Sequence, residues 1–194
     1  IFGLPGTTEK GLLAVKKYLL HLGVPQDAFD LADGSGLSRE NRITPRAIVT
    51  LLVSIYHDFR ILPEYLASLA VVGVDGTIRK RLRRSRASRR IRAKTGLLAG
   101  IHALSGYAAA DNGETLAFSI LSNANGCRPK RLMNRISLAM TQLDRPISRS
   151  FHHKHNPPRQ MLLRPMPNPL ERDSWRRSGR ARGETEGAMG GPAR

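Results

Sequence analysis

The sequence predicts an α+β domain, with helices first, then an antiparallel sheet, then a closing helix. Three observations carry this. Apolar residues recur at helical spacing through 7–22 and again from Thr44 to Phe59. Between residues 91 and 122 the pattern changes to strand-length runs joined by an Asn-Gly turn. Residues 129–143 then return to helical spacing. The domain is expected to occupy 1–144. From Arg145 onward Pro, Arg, Gly and Ser dominate and apolar periodicity disappears, so 145–194 reads as a disordered basic tail.

Over 7–22, Leu12, Val15, Leu19 and Leu22 form the apolar stripe of a first helix, and Lys10, Lys16 and Lys17 its polar side. Thr7 or Thr8 can cap it, Glu9 suits the positive end of its dipole, and Gly23 is a natural stop. Phe29 to Ala32 reads as a short strand leading into Asp33-Gly34-Ser35-Gly36, which demands a turn. A second helix starts at Thr44 with Pro45 in its first position, and Ile48, Leu51, Leu52, Ile55 and Phe59 follow along one side. A short helical piece at Pro63–Leu69 precedes the loop Gly73–Gly76.

Ile91–Thr95 and Ile101–Ala110 are the next expected strands. Asp111-Asn112-Gly113-Glu114 is a hairpin signal, and Thr115–Ser122 alternates with Leu116, Phe118 and Ile120 on one face. The result is a three-stranded meander. The last helix opens at Pro129, with Leu132, Ile136, Met140 and Leu143 as its apolar stripe.

With 194 residues, 40% of them hydrophobic, the chain can bury a sizeable core, and no apolar run is long enough for a transmembrane segment. It opens Ile1-Phe2-Gly3, with neither an initiator Met nor a signal-peptide pattern, which suggests a processed chain or an internal piece. A single cysteine, Cys127, excludes an internal disulfide. The net charge of +17 is local: Arg79 to Arg92 holds nine basic residues and no acid, and 145–194 is the other basic stretch.

Three stretches, in this order and spacing, together resemble the class C low-molecular-mass penicillin-binding proteins, a family of D-alanyl-D-alanine carboxypeptidases and endopeptidases. They are Asp33-Gly34-Ser35-Gly36-Leu37-Ser38-Arg39-x-Asn41 with Thr44-Pro45 close behind, Val72-Gly73-Val74-Asp75-Gly76-Thr77, and Arg92-Ala93-Lys94-Thr95-Gly96. The resemblance covers roughly residues 1–125. It implies the carboxy-terminal part of a transpeptidase-like domain. In this family a serine of a Ser-x-x-Lys motif forms an acyl-enzyme with a peptidoglycan peptide ending in D-Ala-D-Ala, without cofactor or metal. It also implies inhibition by β-lactams and a periplasmic or extracellular location.

Residue by residue, the resemblance makes Lys94, Thr95 and Gly96 the catalytic wall. Lys94 and Thr95 receive the substrate carboxylate, and Gly96 lets the substrate backbone lie against the strand. The backbone N–H of Leu97 would complete the oxyanion hole. Ser or Thr is usual there, so Leu97 removes a hydroxyl that can contact substrate. Neither Ser-x-x-Lys nor Ser-x-Asn occurs in the sequence. Both lie upstream in the family, so the chain is expected to be a fragment separated from its nucleophile and inactive alone.

Blander readings compete at several positions. Ser35 is expected to be a turn residue, since no base accompanies it. The run from Arg79 to Arg92, together with the tail, could serve a basic anion- or nucleic-acid-binding protein. Only 5% of the chain is aromatic and none of the run is, so no base-stacking platform is evident and nucleic acid is an unlikely partner. A solvated basic loop is the expectation. His152, His153 and His155 are expected to be incidental, and Cys127 a small packed residue.

Overall fold

The computed structural model describes residues 5–123 and 129–144, all within the unit that ends at Pro146. Cys127, the three tail histidines and the expected disordered segment 145–194 lie outside the described residues.

Helix α1 spans Thr8–His21 and is capped by Thr7, whose hydroxyl accepts from the Lys10 N–H at 3.3 Å. Gly23, at φ +79°, ends it in the left-handed conformation that glycine reaches without penalty. Leu19 is buried, with Leu22 packed behind it, but Val15 points outward at 47% exposed. Leu13, Tyr18 and Leu20 are exposed as well, so of the expected stripe Leu19 and Leu22 pack and Val15 does not.

Strand β1 (Phe29–Asp30) pairs with β2 (Arg42–Ile43), a strand too short to carry any periodicity in sequence. Helix α2 (Pro45–Tyr56) starts at Thr44, whose hydroxyl accepts from the Ala47 N–H at 3.2 Å. It stops before Phe59, which is 87% exposed and belongs to the following turn instead of the apolar stripe. Helix α3 follows at Leu62–Ser68.

The main sheet has four strands, not three, in the order β3 (Ala70–Val71), β4 (Ile91–Leu98), β5 (Ile101–Ala109), β6 (Thr115–Ser122), all antiparallel. β4 extends three residues beyond the expected Thr95 because its register with β5 continues unbroken to Leu98↔Ile101. The hairpin turn before β6 needs only one positive φ, at Gly113 (+84°). Asn112 contributes its side chain, accepting from the Glu114 N–H at 2.9 Å.

Both faces of the sheet are covered. On one, Leu52 of α2 and Leu69 enclose Tyr107 of β5, whose hydroxyl donates to the Leu52 carbonyl at 2.7 Å. On the other, Ile91, Ala93, Leu104, Ala108 and Phe118 pack with Ile78, Ala87 and Met133. Helix α4 (Pro129–Thr141) closes this face through Met133, Ser137 and Thr141, one residue out of step with the expected stripe. Leu132 and Ile136 are the outward ones. Hydrophobic spacing located the helix, and the sheet chose which side to bury.

Candidate active-site wall on strand β4

β3 is only two residues long and pairs with Ala93 and Arg92 alone. Among the described residues, no strand pairs with Lys94–Leu98 on that side. Backbone groups alternate along a strand. The Ile91 carbonyl points toward β3, accepting from the Val72 N–H at 2.9 Å, and the Arg90 carbonyl points toward β5, accepting from the Ala109 N–H at 2.8 Å. Carried along the unbroken register, this alternation turns the N–H and C=O of Thr95 and Leu97 toward the open edge. Such an edge can accept an extended peptide as an added strand.

Side chains equip that edge. Lys94 is exposed and its ammonium donates to the Thr95 carbonyl at 2.8 Å. Thr95 is half-buried, its hydroxyl 2.8 Å from that of Thr77. Leu97 is 73% exposed. A Cβ on Gly96 would come within 3.1 Å of the Ala103 methyl on β5, so cross-strand crowding adds a second reason for glycine here. Gly106, opposite Ala93, leaves less room still, since its Cβ would lie 2.1 Å from the Arg92 carbonyl oxygen.

The segment Val72–Thr77 folds as a clamp against the base of β4. The Asp75 carboxylate accepts from the Val71 N–H at 2.6 Å. Gly73 and Gly76 have φ of +78° and +55°, and a Cβ at either would collide with Ser88 or Ala70. A one-turn 3-10 helix, Gly76–Ile78, then drives Ile78 into the core and sets Thr77 beside Thr95. Sequence reading placed a loop at Gly73–Gly76 and gave Thr77 no role. The proximity of the two threonines is a tertiary fact.

The loop from Asp33 to Asn41 is organised by its own side chains. Asn41 donates to the Asp33 carboxylate at 2.7 Å and accepts from the Ala32 and Asp33 amides. The amides of Gly36 and Ser38 also donate to Asp33. Chiefly through Asn41, and then these amides and the Ser35 hydroxyl, the Asp33 carboxyl is held below its ordinary value. Ser35 donates to Asp33 and accepts from the Leu37 N–H, consistent with a turn residue. Arg39 reaches across to the Ala99 carbonyl at 3.1 Å, tying this loop to the β4–β5 turn.

The run from Arg79 to Arg92 is not simply a solvated loop. Arg90 and Arg86 face Asp111, whose carboxyl is held low mainly by its hydrogen bond from Arg90. Arg92 donates to the Leu66 carbonyl at 3.1 Å. Arg81 is buried, donating through Nε to Asn134 of α4 at 2.7 Å, and desolvation pulls its pKa down. Much of the apparent phosphate-binding run therefore holds the fold together. Nothing in the local sequence separates Arg81 from its neighbours except its place one helical turn beyond Thr77.

Comparison with known proteins accords with this geometry. A family model described as the D-Ala-D-Ala carboxypeptidase 3 (S13) family matches residues 2–143. A D-alanyl-D-alanine carboxypeptidase from Actinomadura sp. (strain R39) is 38% identical over 143 residues, covering 71% of this chain and 26% of the relative. The crystal structure of penicillin binding protein 4 from Haemophilus influenzae superposes with a TM-score of 0.59 at 30% identity, covering 69% of this chain and 33% of that one. The same protein complexed with a β-lactam superposes with a TM-score of 0.58. The chain thus spans about a quarter of the curated relative and a third of the solved one. No helix among the described residues is long and apolar enough to cross a membrane.

Proposed function

This chain belongs to the D-Ala-D-Ala carboxypeptidase 3 (S13) family, and on that premise we propose that it supplies one wall of a serine D-alanyl-D-alanine carboxypeptidase or endopeptidase site. The observation that carries the reading is the open edge of β4. The edge aligns an extended peptide through the backbone of Thr95 and Leu97. Lys94 and Thr95 address the carboxylate at the peptide's end, and Gly96 keeps the strand surface low. Fixing an already bound peptide in register lowers the entropic part of the barrier.

The chemistry needs a nucleophile and a base, and this sequence contains neither Ser-x-x-Lys nor Ser-x-Asn. In this reading the acyl-serine forms on a segment that meets the β4 edge, and the Leu97 N–H donates to the developing oxyanion. Lys94 then serves both substrate binding and proton transfer. The substrate is a peptidoglycan peptide ending in D-Ala-D-Ala, β-lactams are inhibitors of the whole enzyme, and the enzyme works in the periplasm or outside the cell. Residues 1–144 form the part of the peptidase domain contributed here, and 145–194 a basic tail.

The test is a chimera in which residues 5–144 replace the matching third of the Haemophilus penicillin binding protein 4, which brings its own remaining two thirds. Acylation by a fluorescent penicillin, slowed roughly 100-fold or more by Lys94→Ala, is the expected result. A folded, soluble chimera that is never labelled would refute the reading.

A further inference from the structure

The loop from Arg79 to Arg90, between the Gly76–Ile78 turn and β4, sorts its residues by side. Short turns follow one another, from the Arg81 N–H to the Ile78 carbonyl (2.9 Å), Ser85 to Leu82 (3.0 Å), Ser88 to Ser85 (3.1 Å) and Arg90 to Ala87 (3.2 Å). Ile78, Leu82 and Ala87 pack into the core beneath. Of the nine basic residues in the run, four are absorbed by the fold: Arg81 by Asn134, Arg86 and Arg90 by Asp111, Arg92 by the Leu66 carbonyl. Arg79, Lys80, Arg83, Arg84 and Arg89 remain exposed, and none meets a carboxylate among the described residues.

Two further observations set these five apart from an ordinary solvated face. Leu82 (φ +50°) and Arg89 (φ +64°) are the two non-glycine residues with left-handed backbone among the described residues, and both lie in this loop. Glycine would reach that conformation at little cost, so an exposed arginine kept there is held for its side chain. The Arg89 amide donates to the Val72 carbonyl at 2.9 Å, which anchors the base of that side chain. The positive surface also continues onto α4. Arg131 stands one turn before Asn134, the residue that receives Arg81, and is exposed.

We propose that Arg79, Lys80, Arg83, Arg84 and Arg89, extended by Arg131, form a docking surface for a flexible phosphodiester polymer that carries no bases. Unpaired cations at this density gain by releasing the counterions of a polyanion. Adjacent arginines such as Arg83 and Arg84 reach an anion from different directions. A tetrahedral phosphate accepts from both, whereas a planar carboxylate is filled by one guanidinium fork. The run holds no aromatic residue on which a base could stack and no helix to enter a groove, which turns the choice away from nucleic acid. Within the loop no apolar side chain is exposed, as a segment lying on a membrane would require. The surface tethers the protein and is independent of the function proposed above.

The full 194-residue chain can be titrated by fluorescence anisotropy against labelled poly(glycerol phosphate) and against oligothymidylate of matched charge. Saturable binding to poly(glycerol phosphate), tighter than to oligothymidylate, is expected, with affinity falling roughly 100-fold between about 50 and 200 mM salt. Arg79→Gln, Arg83→Gln and Arg84→Gln together should weaken it tenfold or more. Arg176→Gln, Arg177→Gln and Arg180→Gln, an equal loss of charge from the tail, should weaken it threefold at most. Arg89→Gly should weaken it several-fold while raising the melting temperature, because glycine relieves the left-handed strain. Equal losses from the loop and tail sets would mean charge without a site and overturn the proposal, as would unchanged affinity in Arg89→Gly. Oligothymidylate bound as tightly as poly(glycerol phosphate) would overturn it too. Should the triple loop variant fail to fold, Lys80→Gln combined with Arg131→Gln takes its place, and unchanged affinity there is equally fatal.

Discussion

The hydroxyls of Thr77 and Thr95 lie 2.8 Å apart, joining the Asp-Gly-Thr clamp to the Lys-Thr-Gly strand across 18 residues of chain. The clamp is rigid at its base, because Ile78, the next residue, is fully buried and Asp75 is bonded to the Val71 amide. Thr95 is thereby fixed in rotamer by a neighbour that is itself fixed, the kind of support a preorganised site requires.

Lys94→Ala in the chimera should lower the rate of penicillin acylation by roughly 100-fold or more, the scale for losing a proton-transfer group. Circular dichroism should be unchanged, since Lys94 is exposed and bonded only to the neighbouring carbonyl. Stopped-flow labelling checks the rate.

Leu97→Thr restores the hydroxyl that the family pattern places after the glycine. The side chain is 73% exposed on a strand, where a β-branched residue fits without repacking. Faster acylation of the chimera, with unchanged thermal stability, is the expected outcome.

Gly106→Ala should destabilise the sheet by about 1–3 kcal/mol, the range for overpacking a closed interior. Its Cβ would lie 2.1 Å from the Arg92 carbonyl oxygen and 2.7 Å from the Ala93 Cα, so β4 must move. Urea unfolding measures the loss, and Gly113→Ala, which meets no neighbouring atom but sits at φ +84°, separates crowding from backbone strain.

Tyr107→Phe leaves the Leu52 carbonyl without its 2.7 Å donor in a buried site and should cost about 1–2 kcal/mol. Burial also pushes the Tyr107 hydroxyl up to about 12 from its ordinary 10. The folded state keeps this proton where the unfolded chain releases it. Its contribution is therefore complete below pH 10 and is lost as pH rises toward 12. Chemical denaturation across that range should show a fall in stability that Tyr107→Phe removes.

At the acid end, Asp33 is the group to follow. Its folded-state pKa lies below the ordinary 3.8, mainly because of Asn41, so its support is present above that value and lost as pH falls through the lowered one. Hydrogen exchange at the Gly36 and Ser38 amides, which donate to it at 2.9 Å each, should accelerate over that window. Asp33→Asn should show fast exchange at all pH values.

How much of this was legible follows from the range of the interactions involved. Helix starts at Thr7 and Thr44, the stop at Gly23 and the turn at Gly113 are local hydrogen bonds and local dihedrals, so they could be read along the chain. The three motif segments could be read as residues, and so could the lack of Ser-x-x-Lys. Two-residue strands such as Ala70–Val71 carry no period of their own and form only because a longer strand offers an edge.

The sequence by itself determined the α+β order, the caps and turns, and the placing of Lys94 and Thr95 at the end of one strand, which pairing with β5 then carries on through Gly96 and Leu97. Tertiary structure alone decided that pairing with β3 stops at Ala93, that α4 buries Met133 instead of Leu132, and that Arg81 leaves its basic run for the interior. The first set depends on neighbours within a few positions. The second depends on which surfaces meet once the chain has folded, and residues far apart in sequence set that choice.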